Sequence, residues 1–166
     1  MSRAFVKEDS DQPEHLPDRP LSPHPNYMTL EGHRRMQAQL QQCEQEITAL
    51  KAGDDWAAST RLPALERDLR YYRARLKTAQ VLEPASPAAT SVRFGCSVHF
   101  VDERDNEHQF RIVGEDQADI AQGLLSWTSP LAKALLGRSL GDCVRWQRPA
   151  GDLEIEITAI DSGCLD

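Results

Sequence analysis

The sequence predicts an α+β protein in two parts: an N-terminal antiparallel two-helix coiled coil, then a small domain with a five-strand antiparallel sheet and one short helix. Three observations predict it. Apolar residues recur at spacings of 4 and 3 from Met36 to Leu50 and again from Leu62 to Ala79, a heptad seam interrupted by one polar break. From residue 92 the pattern changes to alternation rich in β-branched and aromatic residues. Proline-rich stretches mark the boundaries, before residue 28 and at 84–91.

Residues 1–27 hold five of the ten prolines. A run such as LPDRPLSPHPNY cannot form a regular helix, because proline lacks the N–H and pushes its predecessor to extended geometry. The segment reads as a flexible tail that could fold back on the body, with His15 and His24 solvated and not ligands. In residues 28–83 Thr29 is placed to cap a helix, and Met36, Leu40, Cys43, Ile47 and Leu50 form its seam. Leu62, Leu65, Leu69, Tyr72, Leu76 and Ala79 form the second, which is expected to run on through AQVLE to residue 83. Pro63 sits where a missing donor costs nothing, in the first turn of that helix. The break, residues 53–61, is too short for anything but an antiparallel return. The expectation is a finger of two helices of about 20–24 residues, roughly 30–36 Å long. Its tip carries Asp54, Asp55 and Trp56.

Residues 84–91 read as a linker. Residues 92–161 then hold two strands as a hairpin around DERDNE, a strand at LLSWTS, and a helix from SPLAKALLGR with Ser129 as N-cap and Pro130 at its first position. Two more strands follow, joined by PAGD. Residues 162–166 are a C-terminal tail. Phe94, Phe100, Phe110, Trp127 and Trp146 are candidates for the core or for lining a pocket.

The chain has 166 residues and a formal net charge of −7, which argues against autonomous binding of duplex DNA. The charge is uneven: residues 61–82 carry six basic groups against two acids in an otherwise acidic protein. No apolar run is long enough to span a membrane, and the first twenty residues lack the apolar core of a secretory signal, so a cytoplasmic protein is expected. Cys43, Cys96, Cys143 and Cys164 are scattered without C-x-x-C or zinc spacing and read as structural thiols. No nucleophile–base pattern or phosphate-binding glycine loop stands out, so the chain is not expected to be an enzyme by itself.

MTLEG at 28–32, AQVLE at 79–83, VRFGCSV at 92–98, FRIVGEDQAD at 110–119, and SWTSPLAKALLG at 126–137 followed by Gly141-Asp142 together resemble the GreA/GreB transcript-cleavage and elongation factors. The resemblance spans residues 28–161. It implies a coiled-coil finger on an FKBP-like C-terminal domain, with bacterial RNA polymerase as partner. It further implies docking at the mouth of the polymerase secondary channel, with the finger directed at the catalytic centre and the nascent RNA 3′ end. By position, Asp54 and Asp55 would help hold a Mg²⁺ of the polymerase, with no tightly bound cofactor of the chain's own. Trp56 would pack at the tip, Arg67, Arg70 and Lys77 would face the RNA, and Thr128, Ser129 and Pro130 would dock.

The tip departs from the family pattern D-L-x-E-N-A-E-Y. Here GDDWAASTRL offers two adjacent aspartates and no glutamate, asparagine or tyrosine at those places, on a finger shorter by about two turns per helix, or about 10 Å of reach. Thr128 replaces the usual Asp or Asn. Two outcomes stay open, a factor that supports cleavage and a non-cleaving regulator that occupies the channel. The bland readings are a solvated turn at Asp54-Asp55, a salt-bridged coil face at the basic stripe, and Trp56 closing the end of the seam. A prolyl isomerase or chaperone with a coiled-coil handle is the alternative of another class.

Overall fold

A computed structural model of the chain describes residues 15–84, 86 and 89–162. In chain order the elements are β1 (Tyr27–Met28), α1 (Leu30–Ala52), α2 (Trp56–Ser59), α3 (Leu62–Thr78), β2 (Gln80–Val81), β3 (Ser97–Asp102), β4 (Glu107–Val113), β5 (Leu124–Ser126), α4 (Pro130–Leu135), β6 (Cys143–Trp146) and β7 (Leu153–Asp161).

The finger forms where the heptads place it. The Thr29 hydroxyl accepts the Gly32 N–H at 3.0 Å and starts α1. Its 23 residues span about 34 Å at 1.5 Å per residue. Met36, Cys43 and Ile47 are buried against α3, and Leu40 and Leu50 are half-buried. Pro63 lies in the first turn of α3, as its missing donor requires. Three exposed ion pairs cross between the helices: Arg61–Glu46 at 3.0 Å, Lys51–Glu66 at 2.9 Å and Arg73–Glu44 at 2.8 Å. Each adds at most about 1 kcal/mol, so the apolar stripe holds the pair and the charges set its register.

Two features differ from the sequence reading. The second helix does not run on through AQVLE. It stops at Thr78, with 17 residues, and Ala79 turns to extended geometry. The Asn26 amide donates to the Arg75 carbonyl at 2.7 Å, occupying an acceptor of the last turn. Gln80 and Val81 then pair in parallel with Tyr27 and Met28. This two-stranded ribbon closes the base of the finger. The expected tail, in its described part from residue 15, is folded back along α3, the one of its two expected states that the structure takes, and Asn26 is buried. What the sequence suggested for residues 1–14 and most of the C-terminal tail lies outside the described residues.

The C-terminal sheet has five strands in the order β5-β4-β3-β7-β6. It is mixed, not antiparallel as expected, because β5 lies parallel to β4. A parallel neighbour needs a crossover and not a tight turn. Residues 114–123 supply it through two short 3₁₀ turns, Glu115–Gln117 and Ile120–Gln122. The alternation read from the sequence holds: β3 buries Val98, Phe100 and Asp102, and β7 buries Leu153, Ile155 and Ile157. Helix α4 covers this face with Leu131, Ala132 and Leu135. Its cap is as expected, with the Ser129 hydroxyl accepting the Ala132 N–H at 3.2 Å. Trp127 and Trp146 pack on the core's edge.

The β3–β4 hairpin turns on Asp102. Its carboxylate accepts the Arg104 N–H at 2.8 Å, the Asn106 N–H at 3.0 Å and the Asn106 side-chain amide, and lies 3.0 Å from His108 Nε2. The bond to His108 is the largest cause holding this carboxyl well below the usual carboxylate range. A depressed folded-state value means stability that is present above about pH 4, the unfolded value, and is lost as pH falls toward the folded one. Asp102→Asn is therefore expected to lower Tm at neutral pH and to flatten its fall below about pH 4. Thermal melts from pH 7 to pH 2 check this; parallel curves for the two proteins would count against it.

Candidate functional site

The tip is built by a local cap. Asp55 accepts the Ala57 N–H at 2.9 Å, which starts the one-turn helix α2. One of its carboxylate oxygens is thereby engaged. Asp54 precedes it on exposed backbone, and Trp56 is 80% exposed. The tip thus presents two neighbouring carboxylates and an indole at the far end of the finger. Among the described residues no three His, Cys, Asp or Glu side chains converge as a metal site. The donor set suits adding one or two oxygens to a hard cation held elsewhere, not holding one alone.

The basic stripe on α3 is not bare. Arg67 is 3.3 Å from its neighbour Asp68, and Lys77 is exposed. Arg70 donates through Nε to Asp18 at 2.5 Å and through Nη2 to the Leu16 carbonyl at 3.1 Å. Arg19 lies 3.8 Å above the Tyr71 ring and reaches Asp68 at 3.3 Å. Residues expected to be tail therefore sit on Arg70, one of the three residues expected to face RNA.

The turn expected to dock is held by its own hydrogen bonds. The Ser126 and Thr128 hydroxyls are 2.8 Å apart, and Ser129 N–H donates to the Ser126 carbonyl at 3.0 Å. Pro130 is exposed at its crest. Beneath it Trp127 packs against Tyr27, ring centres 5.0 Å apart, and edge-on to His24 at 5.9 Å. His24, read as solvated and not a ligand, is exposed, and its ring leans on this tryptophan.

The joint between finger and domain escapes the sequence reading. Arg75, one of the six local cations, is 4% exposed. It donates through Nε to Asp116 Oδ2 at 2.7 Å and through Nη2 at 2.6 Å. Tyr71 donates its hydroxyl to the other Asp116 oxygen. Burial, then this carboxylate, pushes the Tyr71 phenol up to about 12. Thr29 donates to Gln117 Oε1 at 2.6 Å, Arg111 pairs with Glu31 at 2.9 Å, and Ser22 donates to Glu115 at 3.0 Å. The available signal was the polar GEDQ following a strand, which the sequence reading took only as a family motif.

No described helix is long and apolar enough to cross a membrane. A family model described as transcription elongation factor, GreA/GreB, C-terminal, matches residues 87–162. The chain is similar to transcription elongation factor GreA of Alkalilimnicola ehrlichii, 42% identical over 106 residues, 63% of this chain and 67% of the relative. It is 31% identical to the GreA of Helicobacter pylori over 149 residues, 80% of this chain and 91% of that one. The solved GreA/GreB of Nitrosomonas europaea aligns with 81% of this chain and 98% of its own, at 24% identity and a TM-score of 0.41. The chain belongs to the GreA/GreB family of transcription elongation factors.

Proposed function

We propose that this chain acts on bacterial RNA polymerase, docking at the mouth of the secondary channel and modulating elongation from inside it. The supporting observation is the layout: a two-helix finger ending in exposed Asp54, Asp55 and Trp56, joined by buried contacts to a domain whose Thr128, Ser129 and Pro130 form a pre-built turn. On this reading Arg67, Arg70 and Lys77 face the RNA 3′ end. The polymerase is the enzyme. A Mg²⁺ shared in the complex would supply Lewis acidity at the reacting phosphate. This chain's part is to bring Asp54, and the remaining oxygen of Asp55, close enough to add negative charge and hold a water.

A second reading is favoured by one observation. Asp55 is already committed to its cap, and α3 has only 17 residues. A tip so built suits a factor that occupies the channel without supporting cleavage.

One experiment tests both. The purified protein and Mg²⁺ are added to a backtracked elongation complex, and 3′ RNA cleavage is followed on a gel, alone and in competition with a GreA protein. Cleavage lost in Asp54→Ala/Asp55→Ala assigns a cleavage factor. Competition without cleavage assigns the channel-occupying regulator. The absence of both effects would overturn the proposal.

A further inference from the structure

We propose that residues 15–20 are a displaceable strap over the basic face of α3, with Asp18 standing on Arg70 where an RNA phosphate would stand. The proposal rests on the reading that this face meets RNA in the polymerase complex.

The contact is reciprocal. Asp18 of the strap takes Arg70 of the helix, and Arg19 of the strap takes Asp68 of the helix. The Leu16 carbonyl occupies another Arg70 donor. Carboxylate and phosphate offer a guanidinium the same pairing chemistry, so strap and RNA compete for the same atoms. Arg67 stays paired with Asp68 when Arg19 leaves, which masks the one acid on this face. The strap keeps its shape without a hydrogen-bonded ladder: Pro17 and Pro20 fix their own φ and hold Leu16 and Arg19 extended.

The strap is held loosely and anchored firmly. The Asp18 side chain is 69% exposed, so its pair with Arg70 is solvated and weak. Asn26 and Thr29, where the segment enters the body, are both 5% exposed and bonded. Residues 15–20 can therefore lift while the anchor stays. A weak cover that occupies the Arg70 guanidinium lowers the affinity of the finger for stray polyanions. It yields only where a phosphate is presented at close range.

The test uses the full chain, a backtracked RNA polymerase elongation complex, and RNA carrying a photoreactive 3′-terminal nucleotide. The readouts are the protein concentration giving half-maximal cross-linking to the RNA, and Tm. Asp18→Asn, and separately deletion of residues 1–20, should lower that concentration about threefold, the loss of one solvated pair. The gain should vanish when Arg70→Ala is added. Equal concentrations for wild type and Asp18→Asn, a gain that survives Arg70→Ala, or a fall in Tm with no change in cross-linking would each overturn the strap while leaving the polymerase reading intact. If no variant cross-links or competes with a GreA protein, the polymerase reading fails, and the strap fails with it.

Discussion

Arg75→Ala is expected to lower stability by about 2–3 kcal/mol, and Tm by roughly 5–10 °C for a chain of this size. The reason is asymmetric burial. Arg75 is 4% exposed and serves Asp116 through two nitrogens, with Glu115 4.0 Å away. Among the described residues, removing the cation leaves the Asp116 carboxylate with only the Tyr71 hydroxyl, and leaves a void between finger and domain. Breaking a buried pair from one side costs about 3–5 kcal/mol, and the partial exposure of Asp116 reduces it. Asp116→Asn keeps the shape but leaves the more deeply buried Arg75 cation with only Glu115, 4.0 Å away, as counter-charge, so its cost should be the larger of the two, about 3 kcal/mol or more. Denaturant or thermal unfolding of the three proteins checks the order. A shift under 2 °C for Arg75→Ala would mean that the joint contributes little.

The elements that local chemistry dictates were legible. The heptad seam fixed the α1–α3 pairing because Met36, Cys43 and Ile47 recur on one face, and that face is the buried one. Pro63, Thr29 and Ser129 announced helix starts for reasons contained within four residues. The candidate tip was legible as an exposed turn because Gly53, Asp54 and Asp55 interrupt the apolar period of both seams. That Asp55 caps a short helix was missed, although an aspartate before W-A-A-S is an N-cap signal.

What escaped depends on partners far along the chain. Arg75 reads as one more solvated cation until it meets Asp116, forty-one residues on. Asn26 ends α3 from a position 49 residues earlier. The proline-rich lead has a sequence that cannot form a helix and so reads as flexible; the placement of residues 15–20 comes from the side chains of α3 beneath them. The parallel β4–β5 pair depends on a crossover whose two short turns have no apolar period to announce them.

Gly114→Ala is expected to cost about 2–3 kcal/mol, the upper part of the range for forcing atoms into a packed site. Backbone freedom is not the issue, since Gly114 has φ −68°. Space is: an added Cβ would stand 2.3 Å from the Tyr27 carbonyl oxygen. That oxygen belongs to β1, which is paired with β2 and preceded by the buried Asn26, so it cannot retreat alone. Gly137 makes the contrasting case. Its φ is +80° and nothing lies within 4 Å, so Gly137→Ala carries only the left-handed strain of about 1 kcal/mol. The Gly114 substitution should also reach function. The finger is a lever of about 34 Å, so a 10° change at its base moves the tip by roughly 6 Å. Carboxylates displaced that far cannot add to a metal. Under the proposed function, Gly114→Ala should therefore still compete with a GreA protein for polymerase, within about threefold, because the turn at Thr128, Ser129 and Pro130 is unchanged. Any effect that depends on Asp54 and Asp55 should be lost. Retention of both would mean that the finger finds its own orientation inside the channel, and that the buried joint serves stability alone.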